Sequence, residues 1–415
     1  MNFNTFKFHS AVAAGVTAVG YTSPTPIQSR AIPPAMAEKD VIGLAQSGTG
    51  KTAAFVLPVL NRIIHGRRGT TRALIVAPTR ELAEQIHEAI AALGKKTGLQ
   101  SVAIYGGVAI GPQIKSVKSA DIIVACPGRL LDHMARKTVD LSALEMLVLD
   151  EADHMFDMGF LPDVRRILNQ IPKNRQTLLF SATMAAEIRQ LVKESLTDPV
   201  TVQVGITAPA DTVSHALFPV DQNQKTPLLL TLLKQTPTGS VLIFTRTKHR
   251  ARRLGDQLSR AGYNATSLQG NLSQNRRQHA IKGFRNGTYQ ILVATDIAAR
   301  GIDITDVSHV INYDIPNTTD AYIHRIGRTG RAARTGDAFT LITGDDTQMV
   351  HAIDRVIGSK VERKTLPDFN YQRAASKNRE DNEFSGYSPT QPGKTKSPAV
   401  SVNKPAARHK RPRKP

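Results

Sequence analysis

Two short segments carry side chains whose types and spacing suit phosphate chemistry. The first, AQSGTGKT, fits the pattern G-x-x-x-x-G-K-[ST] except at its first position, where Ala45 replaces glycine. Gly48 and Gly50 would let the backbone turn its N–H groups towards phosphate oxygens. Lys51 would reach the β and γ phosphates of a nucleotide, and the Thr52 hydroxyl would bind Mg²⁺. A glycine-rich turn without a ligand is the alternative interpretation.

The second segment, LVLDEAD, places three carboxylates directly after an apolar run. Asp150 lies where phosphate-loop ATPases have the acid that holds Mg²⁺. Glu151, beside it, could orient or deprotonate an attacking water. An isolated Asp-Glu pair is usually a solvated turn, but this pair follows a predicted buried strand in a chain that already has a phosphate loop. Together the two segments predict ATP hydrolysis with Mg²⁺.

Both segments follow predicted strands, and the same arrangement recurs along the chain. A short apolar run ends in small or polar residues and a helical pattern follows, as in ALIVAPTR then ELAEQIHEAIAAL. Continuous β-rich runs that alternate with helices indicate parallel strands covered on both faces. The pattern pauses in a polar stretch and then restarts, which predicts two α/β domains, residues 1–205 and 216–364, joined by a linker at 206–215.

Composition and charge narrow the class of protein. The 415 residues include 54 basic and 34 acidic side chains, a net charge of +20. This excess favours nucleic acid as the partner over an anionic membrane surface, with solubility alone as the alternative. The one cysteine, Cys126, excludes an internal disulfide and a cysteine-based zinc cluster, and it fits a cytoplasmic protein. The sequence has neither an apolar run of about 18 residues nor a signal-peptide pattern, so no membrane association is expected.

The C-terminal residues, 365–415, differ in composition from the rest. They are polar, poor in large apolar side chains and carry a net charge of +7, so we predict a disordered basic tail. Its last cations should add nonspecific, salt-sensitive RNA affinity, unless the tail is merely solvated. In a eukaryote the RHKRPRKP stretch could also be a nuclear address. These cations are Lys404, Arg408, Lys410, Arg411, Arg413 and Lys414.

Further motifs occur in order between residues 3 and 345. They are GYTSPTPIQ, PTREL, CPGR, DEAD, SAT, ATDIAARGID and HRIGRTGR. With these motifs the chain resembles the DEAD-box RNA helicases, and most of all their bacterial RhlE-like branch. The resemblance implies two tandem RecA-like domains that close over ATP and one RNA strand. It implies separation of short RNA duplexes or remodelling of ribonucleoproteins, for example ribosomal or degradation complexes, by a monomeric core.

The resemblance also assigns contacts with ATP. Gln28 would read adenine, because a glutamine amide can donate to and accept from the adenine edge at once. Tyr21 could pack on the base, and Phe3 has the spacing of the family's upstream aromatic, although both could simply pack in the core. Asp303 is expected near the ribose. The phosphate-loop residues expected to contact ATP are Ala45, Gln46, Ser47, Gly48, Thr49, Gly50, Lys51 and Thr52.

The family resemblance places part of the catalytic apparatus in the second domain. Arg328 and Arg331 resemble arginine fingers, which are typically worth about 10³ to 10⁵ in hydrolysis rate. His324 would join the network around the hydrolytic water. A basic surface that faces RNA is the alternative interpretation of this motif. Since the phosphate loop lies in the first domain, hydrolysis should require the domains to close.

The SAT segment is expected to couple hydrolysis to strand separation. In the family this segment bonds to the DEAD motif, so Asp153 would be the partner of Ser181 and Thr183. A helix cap formed by the Ser and Thr side chains is an alternative that can hold at the same time.

The remaining motifs predict an RNA track that contacts the backbone, with little base preference and with the 2′-hydroxyl distinguishing RNA from DNA. Cys126 stands where the family usually has threonine, and a thiol is a weaker hydrogen-bonding group. Gln269 stands where the family often has histidine, and little change is expected from that. The residues expected to contact RNA are Thr79, Arg80, Gly107, Cys126, Gly128, Arg129, Gln274, Arg277 and Thr295.

Two other functions share much of this pattern. A DNA helicase or translocase could use the same two-domain plan, although DEAD, SAT and the Gln28 segment argue against it. A non-catalytic RNA clamp is opposed by the presence of Lys51, Glu151 and both arginines.

Overall fold

The computed structural model describes residues 2–46, 48–204, 213–235, 239–299, 304, 307–330 and 336–371. Most of the predicted linker and nearly all of the predicted tail lie outside these ranges. Three residues that were assigned to the ATP site also lie outside them, namely Ser47, Asp303 and Arg331.

The first domain contains a sheet of seven parallel strands in the order β3-β4-β2-β5-β6-β1-β7. Its strands are β1 Val41–Leu44, β2 Ala73–Val76, β3 Ser101–Ile104, β4 Ile122–Ala125, β5 Met146–Leu149, β6 Gln176–Ser181 and β7 Val200–Gln203. Its helices are α1 Ser10–Ala18, α2 Pro26–Met36, α3 Lys51–Ile63, α4 Arg80–Leu93, α5 Ile110–Val117, α6 Pro127–Ala135, α7 Ala152–Asp157, α8 Leu161–Leu168 and α9 Ala186–Ser195. A short 3-10 helix, Phe3–Phe6, precedes them.

The second domain repeats this topology. Its seven strands are also parallel, in the order β10-β11-β9-β12-β13-β8-β14. With β8 taken as the first strand of this domain, the order is the same as in the first sheet. The strands are β8 Val213–Pro219, β9 Val241–Phe244, β10 Ala265–Leu268, β11 Ile291–Ala294, β12 His309–Asn312, β13 Gly336–Ile342 and β14 Glu362–Arg363. The helices are α10 Lys225–Gln235, α11 Lys248–Arg260, α12 Gln274–Arg285, α13 Asp296–Ala299, α14 Thr319–Ile326 and α15 Thr347–Ile357, with 3-10 turns at Gln222–Gln224 and Gly344–Asp346.

The predicted fold class, two tandem RecA-like parallel-sheet domains, is confirmed by this repeated topology. Strand β8 starts at Val213, within the range 206–215 that the sequence predicts as the linker, and the domain bounds stay predictions. Val213 is buried and pairs with Gly336 of β13, so its place in the sheet overrides the polar character of the preceding residues.

Both faces of the first sheet are covered, as continuous apolar strands require. Successive residues of β5 point to opposite cores: Met146 and Val148 pack on one side, and Leu147 and Leu149 on the other. In the described part of the chain, no helix is both long and apolar enough to cross a membrane.

The strand order divides the carboxyl edge of the first sheet into two halves. The phosphate loop, the DEAD segment and the SAT segment follow β1, β5 and β6, which are neighbours. The PTREL segment, the pair Gly106 and Gly107, and the CPGR segment follow β2, β3 and β4, which form the other half. Since ligands of open α/β sheets bind at the carboxyl ends of the strands, the two halves of this edge can form two adjacent binding sites.

Candidate active site and nucleic-acid groove

The phosphate loop turns between β1 and α3 on two glycines. Gly48 and Gly50 have φ angles of 82° and 93°, in the left-handed region that favours glycine. A Cβ on Gly50 would lie 2.6 Å from the Gln28 side-chain nitrogen, so the loop also needs glycine for space. The first position of the motif, Ala45, is buried and continues the strand: its N–H donates to the Ser181 carbonyl at 3.0 Å. Helix α3 then begins at Lys51, which is only 6% exposed.

Gln28 connects the start of α2 to the phosphate loop. Its Oε1 accepts from the Thr25 backbone N–H at 2.9 Å, and its Nε2 donates to the Gly50 carbonyl at 3.1 Å. The amide has two donors and two lone pairs, so one of each is used by the protein. The predicted contact with adenine would use the remaining N–H donor and the remaining lone pair of the Gln28 amide. Nearby, Phe3 is buried and stacks on Tyr21 at 5.8 Å between ring centroids, whereas Tyr21 is 44% exposed.

The carboxylates after β5 are buried and differ in their proton affinity. Burial raises the pKa of Asp150 to about 7, and Glu151 adds to the rise while Lys51 opposes it. For Glu151, burial alone would raise the pKa, but His154, Lys51 and Arg328 outweigh it and hold the pKa at about 2. Glu151 is therefore an ionised hydrogen-bond acceptor, as either orienting or deprotonating a water would require.

The surroundings of Asp150 fit a bound Mg²⁺. Burial destabilises the anionic form of a carboxylate, and a cation beside it restores that stability. The Thr52 hydroxyl, in the first turn of α3, would supply a second oxygen ligand of the hard type that Mg²⁺ prefers. No group of three or more His, Cys, Asp or Glu side chains within the described ranges could hold a metal by itself. Mg²⁺ is commonly held by one or two carboxylates together with substrate phosphates, and Asp150 would be such a carboxylate.

Glu151 adopts an unusual backbone conformation and has a close neighbour. Its φ of 52° is uncommon for a residue with a side chain, and it caps the short helix α7. One turn later, the Nδ1 of His154 lies 2.8 Å from the Glu151 Oε2. Because the carboxylate can only accept, Nδ1 donates in this bond.

Asp153 bonds to the SAT segment. Its Oδ2 accepts from the backbone N–H groups of Ala182 at 3.0 Å and Thr183 at 3.1 Å. Its own N–H donates to the Ser181 hydroxyl at 3.3 Å. The DEAD and SAT segments are thus joined by three hydrogen bonds between adjacent strand ends.

The second domain places its HRIGR residues against this edge. The His324 ring meets the His154 ring edge to face, at 5.4 Å between centroids and an interplanar angle of 84°. Arg328 is buried and close enough to Glu151 to lower the pKa of that carboxyl group. Arg325, which lies between His324 and Arg328 in the sequence, donates two hydrogen bonds to the Asp296 carboxylate, at 2.6 and 2.7 Å. Residues of both domains therefore surround Glu151.

A groove of about 490 Å³ lies over the other half of the edge, between the two domains. Six of the predicted RNA-contacting residues line it, and these are Thr79, Arg80, Cys126, Gly128, Arg129 and Arg277. Of the other three, Gly107 packs under the Arg80 guanidinium, Gln274 lies at the domain boundary and Thr295 precedes α13. The other nine lining residues were not among the predicted RNA contacts, and these are Pro78, Glu81, Gly106, Asp132, Met158, Phe160, Gly270, Leu272 and Ala298.

Glu81 is the most consequential of the missed residues. Its Oε1 accepts from the Arg277 Nε at 2.6 Å and from the Gln274 Nε2 at 3.3 Å, so it bridges the domains. Arg277 also donates to the carbonyls of Gln269 and Ala298. In this conformation Gln274 and Arg277 therefore hold the domains together, and their predicted contact with an RNA phosphate would use the remaining N–H groups. Glu81 belongs to the PTREL motif, which was the one sequence signal for it.

Cys126 occupies the N-cap of α6 without making a side-chain capping bond. Burial is the main reason that the pKa of its thiol rises to about 12, so the group is a neutral thiol at pH 7. Its backbone is held by β3, because the Cys126 N–H donates to the Ile104 carbonyl at 2.9 Å.

Two RecA-like domains with a phosphate loop, paired acids and an interdomain groove are the arrangement of a two-domain P-loop ATPase. Comparison with known proteins narrows this class. Residues 25–191 match the family described as DEAD/DEAH box helicase, and residues 224–333 match the helicase conserved C-terminal domain. The chain belongs to the DEAD-box family of ATP-dependent RNA helicases.

Similar proteins come from bacteria and fungi. The chain is 42% identical to the DEAD-box ATP-dependent RNA helicase CshA of Bacillus licheniformis, over 88% of this chain and 76% of that protein. It is 45% identical to the ATP-dependent rRNA helicase RRP3 of Eremothecium gossypii, over 84% of this chain and 72% of that protein. Among solved structures, S. cerevisiae Dbp5 bound to RNA and ADP BeF3 matches with a TM-score of 0.79 and 32% identity, over 88% of this chain and 95% of Dbp5.

Proposed function

We propose that this protein is an RNA-stimulated ATPase that separates short RNA duplexes or remodels ribonucleoproteins when its two domains close over ATP and one RNA strand. The observation that carries the proposal is the composition of the site around Glu151. Lys51 and His154 come from the first domain, and Arg328 and His324 approach from the second. An ATP site divided in this way is complete only when the domains meet.

Each residue has a distinct proposed task in hydrolysis. Lys51 and the phosphate-loop N–H groups bind the β and γ phosphates, and Gln28 selects adenine. Glu151 orients the attacking water, with His324 in the surrounding network. Arg328, together with Arg331 from outside the described ranges, stabilises the charge that develops on the transferred phosphoryl group.

Thr52 and Asp150 would hold Mg²⁺, in part through water. The ion, when bound, neutralises charge on the phosphates. This assignment rests on the oxygen ligands and on the raised pKa of the buried Asp150 carboxyl.

The interdomain groove is the proposed RNA site. Arg80 and Arg129 supply positive charge at its floor, and Gly128 allows close approach of a sugar-phosphate backbone. The similarity to RNA-bound Dbp5 supports RNA as the polyanion that the net charge of +20 predicts. The Asp153 carboxylate bonds the DEAD segment to the SAT segment, so these residues are the proposed coupling element.

The finer assignments are proposals of the same kind. The RhlE-like branch rests on the motifs alone, since relatives between 39% and 45% identical include bacterial and yeast helicases. A cytoplasmic location, a monomeric core and ribosomal or degradation complexes as targets are likewise proposed.

Strand separation tests the proposal. We expect the full-length protein to separate a short RNA duplex with ATP and Mg²⁺, and a DNA duplex of the same sequence far less. Glu151→Gln should abolish the activity while ATP still binds. Equal activity on DNA would favour a DNA helicase, and phosphate release unchanged by Glu151→Gln would favour a nucleotide-dependent clamp.

A further inference from the structure

The inference concerns His154, the residue directly after the DEAD segment, to which none of the motifs above assigns a role. It builds on the proposed task of Glu151 in hydrolysis. His154 is 4% exposed and lies on α7, three residues after Glu151. Glu151 is the N-cap of α7, with its backbone in the left-handed region, and its side chain meets that of His154 at the start of the helix.

The contact between the two side chains is short and buried. The His154 Nδ1 lies 2.8 Å from the Glu151 Oε2, and both side chains are less than a tenth exposed. A hydrogen bond to a carboxylate in such surroundings is strong and directional. By holding one oxygen of the Glu151 carboxylate, it sets the direction in which the other oxygen points.

His154 also touches the second domain. Its ring packs edge to face against His324 of α14, with the centroids 5.4 Å apart. A single side chain thus contacts the water-orienting carboxylate of one domain and the HRIGR motif of the other. Beyond the effect of burial, His154 is also the largest influence on the pKa of the Glu151 carboxyl group.

We propose that His154 is a positioning residue that holds the Glu151 carboxylate in its hydrolytic orientation through the Nδ1–H bond. The packing on His324 steadies the imidazole ring when the domains are closed. Supporting groups of this type typically change activity by about 10- to 100-fold when removed.

Two substitutions separate the hydrogen bond from the ring contact. In His154→Asn the amide nitrogen is as many bonds from Cβ as Nδ1, so the donor to Glu151 is retained and the ring is lost. In His154→Phe the ring that packs on His324 is retained and the donor is lost. His154→Ala removes both. The full-length variants are compared for kcat and KM of RNA-stimulated ATP hydrolysis, for thermal stability and for affinity for an ATP analogue.

We expect His154→Asn to keep most of the wild-type kcat. His154→Phe and His154→Ala should lose about 10- to 100-fold in kcat, with little change in KM for ATP or in analogue binding. His309→Phe is the matched control, because His309 is also a buried histidine but lies at the start of β12, and it should keep the wild-type kcat.

Full activity of either His154→Phe or His154→Ala would overturn the proposal, as would an equal loss in His154→Asn and His154→Phe. Glu151→Gln in the same assay distinguishes this failure from a failure of the proposed function. If Glu151→Gln hydrolyses ATP normally, the task of Glu151 is wrong; if it is inactive, only the role of His154 is at stake.

Discussion

The bridge between Glu81 and Arg277 should decide how readily the two domains close. The pair joins α4 of the first domain to α12 of the second at 2.6 Å, and its side chains are 7% and 10% exposed. Removing one partner of a buried pair costs about 3–5 kcal/mol, because the other charge remains buried without compensation. The pair exists only while the domains meet, so Glu81→Gln should penalise the closed arrangement and leave each domain's own stability almost unchanged. At 1.36 kcal/mol per factor of ten, the closure equilibrium should shift by about 10² to 5 × 10³.

The closed fraction can be measured by energy transfer between fluorophores placed on the two domains, with RNA and a non-hydrolysable ATP analogue present. Glu88→Gln is the matched control, because it removes the same charge from an exposed position on the same helix. The double variant Glu81→Gln with Arg277→Gln should recover part of the loss, since no buried charge is then left alone. A closed fraction in Glu81→Gln equal to that in Glu88→Gln would refute this reasoning.

Three further predictions follow from the N-cap of α6, the buried histidines and the basic tail. Cys126→Thr should supply the missing side-chain cap of α6 and add about 1 kcal/mol to the free energy of unfolding. Differential scanning calorimetry would register this as a rise in Tm of about 2–4 °C. An unchanged Tm would count against the capping account. Burial lowers the pKa of His215 and of His309, so the unfolded chain binds more protons once the pH falls through the ordinary histidine pKa of about 6.5. The free energy of unfolding should therefore decrease from pH 7 to pH 5 in urea titrations, with a shallower decrease in His215→Phe, and an identical slope in the variant would argue against it. Deletion of residues 366–415 should lower RNA affinity and flatten its dependence on salt, whereas unchanged binding curves would discard a role for the tail.

The type and order of the strands and helices were predictable from sequence, because several of the motifs lie at the ends of strands. The phosphate loop, Asp150 and Ser181 each follow a short apolar run, and parallel strands bring those ends to one edge. The Glu81–Arg277 bridge was not predictable, because it joins residues 196 positions apart and depends on how the domains meet.

Some local contacts were also missed, for different physical reasons. His154 lies only three positions from Glu151, but a histidine on a short helix carries no signal of its partner. Gln28 was predicted as a ligand of adenine, and its bonds to Thr25 and Gly50 depend on the approach of α2 to the phosphate loop, which spacing alone does not show. The start of β8 at Val213 was set by pairing with β13 rather than by the polar residues before it.

The central claim is that RNA-driven closure completes the ATP site by bringing Arg328 to the edge that carries Glu151. Steady-state ATP hydrolysis with and without saturating single-stranded RNA, in the wild type and in Arg328→Ala, tests it most directly. The account predicts that RNA raises kcat many-fold in the wild type and that the variant loses about 10³-fold or more of the stimulated rate while still binding ATP. Turnover that is the same with and without RNA, or RNA stimulation that survives in Arg328→Ala, would contradict it.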